Sequence, residues 1–176
     1  HMNIVKIMVK KQNCQIVDLI WEAEDDFSRD KYSKIIRRGV SDEFLCAIMN
    51  NRIKHGGSVL VLFDECLNSK KNRNVAIKAL EFINADEFDY FPYAVINNND
   101  LEMFLMITEK FPQLLDLLSA SSFKYSYKGN LFNHCISNNM LNIDKLMNDI
   151  VVCSYNEWYM YMVNICGFKA TYKHLL

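Results

Sequence analysis

A chain of 176 residues that is 51% hydrophobic and 23% charged has the apolar content to close a substantial core and lies far from the disordered class. Its 20 basic and 21 acidic side chains leave a net charge of −1, which excludes a global field that would draw in nucleic acid or an anionic membrane. No apolar run reaches the roughly 18 residues of a membrane span, and the N-terminus lacks the length and cleavage site of a secretory signal, so a soluble, cytoplasmic protein is expected.

His1-Met2 reads as a cloning scar and is set aside. From Asn3 to Glu24 the apolar spacing is helical. Residues 28–38 carry Tyr32, Ile35 and Ile36 on one face and basic residues on the other, and Gly39 is a credible stop. Ser41 is placed to cap a helix that opens with Asp42-Glu43-Phe44. After Gly56-Gly57 the very apolar Val59–Phe63 has the look of a strand in isolation. Cys66 and Leu67 continue a helical pattern, so a buried helix is expected there. Residues 68–74 form a polar loop, 75–83 a further helix, and 84–92 the connection into Phe91–Glu109. That stretch reads as two short helices joined by Asn97-Asn98-Asn99-Asp100. Pro112 can open another helix over 113–120, residues 119–130 are polar and aromatic, and a hairpin begins near Leu131. Glu157–Cys166 is helical with aromatics nearly all round, and Gly167 precedes a basic tail.

The Phe91 unit recurs. Leu131 to Asn139, followed by Leu141, Ile143, Leu146 and Met147, repeats its apolar positions and its Asn-Asn turn. Phe44 to Asn51 repeats the first half, and Ile7 to Asn13 is a weaker copy. With Ile7, Ala47, Ala94 and His134 taken as equivalent, the intervals are 40, 47 and 40 residues. Helices this short are marginal alone, so each hairpin is expected to bury its apolar face on a neighbour. The reading is an all-α chain of stacked helical hairpins, an α-solenoid forming one domain over 3–176, with units near 4–38, 41–83, 88–120 and 128–176.

A helix, a polar Asn/Gly turn and an apolar second helix resemble the helical half of an ankyrin repeat. The Phe91 and Leu131 units are similar to the Asn- and Ile-rich ankyrin-type proteins of poxviruses and intracellular bacteria. Residues 30–38, 75–83 and 113–119 can each supply a third helix, which keeps an armadillo- or HEAT-type solenoid, or a globular helical bundle, open beside it. The resemblance implies a non-enzymatic protein–protein interaction module, such as an effector working in a host cytoplasm. It also implies that the loop entering each first helix projects as a binding finger. Those loops are rich in aromatics here: Phe88, Tyr90, Phe91 and Tyr93 before one hairpin, and Phe123, Tyr125 and Tyr127 before the next. Tyr90, Phe91, Tyr93, Tyr125 and Tyr127 are the expected protein-binding residues, because large rigid rings are enriched at interface hot spots.

Chemistry-bearing motifs are sparse. His134-Cys135 is the one adjacent thiol–imidazole pair, but neighbours on a helix point about 100° apart. There is no Cys-x-x-Cys or His-Glu-x-x-His metal motif, and Gly56-Gly57-Ser58 lacks the Lys and remaining glycines of a phosphate loop. The paired carboxylates Asp64-Glu65 and Asp86-Glu87 have no partner pattern. The six cysteines, at 14, 46, 66, 135, 153 and 166, mostly sit in apolar helical patterns and read as free buried thiols of a reducing compartment. No catalytic residue, metal or cofactor is therefore expected, and the expected partner is another protein, not nucleic acid or membrane. The alternative is an enzyme or enzyme inhibitor whose site is assembled from scattered residues.

Overall fold

In the computed structural model, which describes residues 29–118, 120–123, 126 and 129–141, helix ends are set by a few residues with positive φ. Gly39 (φ 74°) stops α1, Arg29–Arg37, and its N–H donates back to the Ile36 carbonyl at 2.9 Å. Helix α1 buries Tyr32, Ile35 and Ile36 at i, i+3 and i+4 and leaves Lys34 and Arg37 exposed, as the sequence pattern requires. Helix α2, Asp42–Lys54, starts where expected: the Ser41 hydroxyl accepts from the Phe44 N–H at 3.2 Å.

Helix α3, Leu60–Ser69, contains most of the run Val59–Phe63. Ser58 Oγ accepts from the Leu60 N–H at 3.1 Å. Leu62, Phe63, Cys66 and Leu67 are all buried, because α3 packs against α1 and against α4, Arg73–Leu80. A helix covered on several sides needs no polar face, which explains the continuous apolar run.

The chain divides into two compact units, His1–Glu87 and Phe88–Leu176. The boundary falls in the connection 84–92, where a 3-10 turn, Ala85–Glu87, is held by Glu87 as it accepts from the Asn84 N–H at 2.9 Å and from the Ser58 hydroxyl. The second unit contains α5, Tyr93–Asn97, α6, Leu101–Lys110, and α7, Asn130–Ser137. Where a helix is expected over 113–120, a 3-10 turn, Pro112–Leu117, follows with Pro112 at its start. A second such turn, Ala120–Phe123, packs against α5. The core is built on ring pairs, Phe91 with Phe104 and Phe123 with Phe132, each at 5.1 Å between centroids. Every element among the described residues is helical and no strand occurs, so the chain is all-α there.

Three of the turns share one hydrogen-bond pattern. After α5 the Asn99 N–H donates to the Ile96 carbonyl and the Asp100 N–H to that of Val95; after α7, Asn139 bonds to Ile136 and Met140 to Cys135. After α2, Gly56 bonds to Ile53 and Gly57 to Arg52. These are Schellman closures, with Asn99, Asn139 and Gly56 in the left-handed region at φ 53°, 52° and 69°. The equivalence of Ala94 with His134 holds in this geometry. That of Ala47 does not: Asn50-Asn51 lies inside α2, with Asn51 only 3% exposed. Glycine enters the left-handed region without steric cost, so the helix runs on to Gly56 rather than stopping at the asparagines. The turn positions are therefore 43 (99 − 56) and 40 (139 − 99) residues apart.

Candidate functional site

The stretch Phe88–Tyr93 sorts its side chains sharply between inside and outside. Phe88 packs its ring 5.8 Å from that of Phe111, and Phe91 lies in the core against Phe104. Pro92 is buried, with φ −55°, and its carbonyl accepts from the Val95 N–H at 3.1 Å, so α5 begins at a fixed backbone angle. What remains outside is Asp89, Tyr90 and Tyr93. The two tyrosines are 39% and 52% exposed and stack on each other, with centroids 5.5 Å apart and planes 24° from parallel. Large apolar rings presented in pairs on a buried base form a pre-ordered contact surface, since little side-chain freedom remains to be lost on binding.

Of the five expected binding residues, Tyr90 and Tyr93 are thus on the surface and together. Phe91 is not: at 2% exposure it cannot touch a partner of the folded unit, and its part is to seat the segment that carries the tyrosines. Tyr125 and Tyr127 lie outside the described residues. Phe123, in the same aromatic run, is fully buried against Phe132.

The first unit holds a polar feature that sequence reading left without partners. Asp64 and Glu65 on α3 are 7% and 8% exposed. Arg29 on α1 donates from Nη2 to Asp64 at 2.9 Å, and its Nε lies 3.7 Å from Glu65 Oε1. Ser33, one turn on, donates its hydroxyl to Glu65 Oε2. One guanidinium and one hydroxyl from a single helix face thereby compensate two adjacent buried carboxylates. Beside them is a cleft of about 280 Å³ lined by Ser33, Ile36, Arg37, Glu65, Asn68 and Ser69. The i, i+4 spacing of Arg29 and Ser33 was the available signal, but nothing in sequence links it to residues more than thirty positions away.

His134 and Cys135 do not form a reactive dyad. Cys135 is fully buried, and burial pushes its thiol up to about 12, which keeps it protonated and poorly nucleophilic at neutral pH. His134 instead lies on the half-exposed side, its Nδ1 3.4 Å from the Asn138 amide nitrogen. Among the described residues no group of three or more His, Cys, Asp or Glu could hold a metal ion, and no helix is long and apolar enough to cross a membrane. Comparison with protein-family models, with curated proteins and with solved structures returns no match.

Proposed function

We propose that this chain is a non-enzymatic protein-interaction module built of stacked helical hairpins, and that Tyr90 and Tyr93 mark its binding face. The observation that carries the proposal is the exposed, mutually stacked tyrosine pair at the entry to the α5–α6 hairpin, seated on buried Phe91. A solenoid of repeated hairpins is supported by the shared turn geometry at 43- and 40-residue intervals; because ankyrin repeats recur about every 33 residues, its ankyrin-like form rests on the resemblance of the Phe91 and Leu131 units. A host-directed effector of a virus or intracellular bacterium rests on that resemblance alone.

The test uses the full chain and its Y90A/Y93A variant as baits in cell lysate, with bound proteins identified by mass spectrometry. One stoichiometric partner retained by the parent and lost by a variant of unchanged melting temperature supports the reading, each true hot spot weakening binding by about 1–2 kcal/mol. Equal capture by both baits places the binding face elsewhere.

A further inference from the structure

We propose that the partner presents a cationic side chain, arginine or lysine on a basic segment, to the Tyr90–Tyr93 face; this rests on reading that face as a protein-binding surface. Two independent observations point to a cation. The faces of the stacked rings carry negative quadrupole potential, which attracts guanidinium and ammonium groups. The charge beside them has the matching sign: Asp89, next to Tyr90 in the chain, is exposed, and the sequence over 88–118 carries Asp89, Asp100, Glu102, Glu109 and Asp116 against Lys110. Lys110 already sits over the Phe111 ring, its Nζ 5.1 Å from the centroid, so the stretch's own cation is engaged at another ring. An aromatic pair with an exposed carboxylate beside it also selects against the other usual ligand of exposed tyrosines. Single-stranded nucleic acid needs a basic groove beside its stacking platform, and phosphates would meet Asp89 here. A basic protein segment satisfies both the ring faces and the charge, and gains in association rate from the latter.

The experiment is a titration of the isotope-labelled full chain, followed by NMR, with two peptides: alternating Arg-Gly and alternating Glu-Gly. The Arg peptide is expected to shift resonances of residues 89–97 and to bind less tightly as salt is raised. Y90A/Y93A is expected to weaken it about two- to fivefold for each ring face lost, D89N to weaken it by a smaller factor, and Y90F/Y93F, which keeps both ring faces, to bind as the parent does. Equal binding of the Glu peptide, shifts confined to other residues, or indifference to the removal of the rings overturns the proposal. If the lysate partner is lost in Y90A/Y93A while the Arg peptide leaves residues 89–97 untouched, the partner chemistry is wrong and the binding face stands. If both assays ignore the tyrosines, the binding face falls as well.

Discussion

Tyr90, Phe91 and Tyr93 are near neighbours of one chemical type with opposite fates, and substitution separates them. Phe91→Ala removes a ring packed at 5.1 Å on Phe104 in a site that is 2% exposed, and should cost about 3–5 kcal/mol of stability. Tyr90→Ala, at a residue more than a third exposed, should stay within about 0.5 kcal/mol; denaturant titration of the two variants measures the contrast. The described thiols separate in the same way. Cys66 and Cys135 are fully buried and desolvation pushes each from the usual 9.0 up to about 12, whereas Cys46 is half-buried. Folded values above the unfolded ones mean that this contribution to stability is complete below pH 9 and is lost as pH rises from about 9 toward 12. At pH 9 an alkylating reagent followed by peptide mass spectrometry should therefore label Cys46 first, with Cys66 and Cys135 joining only after denaturant is added. Early labelling of either buried thiol would contradict the packing around it. The aromatic clustering at 88–93 was legible in the sequence, but its division into core and surface was not. Rings of the same type fill cores and interfaces alike, and only the packing of Phe88 and Phe91 decides which of them face inward.

At the scale of the elements, helices were easier to read than their ends. Ser41, Gly39 and the Asn98-Asn99 turn each combine a residue of restricted local geometry with the end of an apolar period, and the structure ends or begins helices there. Asn50-Asn51 carries the same local signal but is overruled, because Gly56 completes the closure five residues after Asn51 and lets α2 gain another turn. The Asn99 turn does more than end a helix. Its side chain accepts from the Leu131 N–H at 2.9 Å, so it caps the first turn of α7 across 32 positions of chain. Gly129 leaves room for this, since a Cβ there would come within 2.4 Å of Asn99 Oδ1. Asn99→Gly should keep the left-handed turn but lose the cap, at about 0.5–1.5 kcal/mol. Asn99→Ala should add the strain of φ 53°, roughly another 1–2 kcal/mol. Gly129→Ala should displace the Asn99 side chain, so that its cost largely vanishes in an Asn99→Gly background. Additive costs in this double-mutant cycle, read by thermal unfolding, would show that the two positions are not coupled.

For the molecule as a whole, the all-helical class was the most legible property, because apolar period is a sum over many residues and tolerates local ambiguity. Long-range pairings such as Arg29 with Asp64 and Glu65 were the least legible, since sequence periodicity reports which face of a helix is buried but not which helix covers it. Val59–Phe63 shows where the class could have failed: apolar in every position, with two β-branched valines and a phenylalanine, it has the composition of a buried strand. Gly56-Gly57 and Ser58 give it a helical start, and α1 and α4 give it cover on more than one side. Two segments read as helical from the same kind of pattern, Asn3–Glu24 and Glu157–Cys166, lie outside the described residues, so the test must sample the whole chain. Far-ultraviolet circular dichroism does so, as each peptide contributes to the spectrum. The expected spectrum is dominated by helix with at most a minor strand share, and the helical signal should be lost together with the near-ultraviolet signal of the buried aromatics on heating. More than a minor strand share would place the error outside the described residues, because 29–118 and 129–141 contain none. It would also remove the ground for extending the hairpin repeat to either end of the chain.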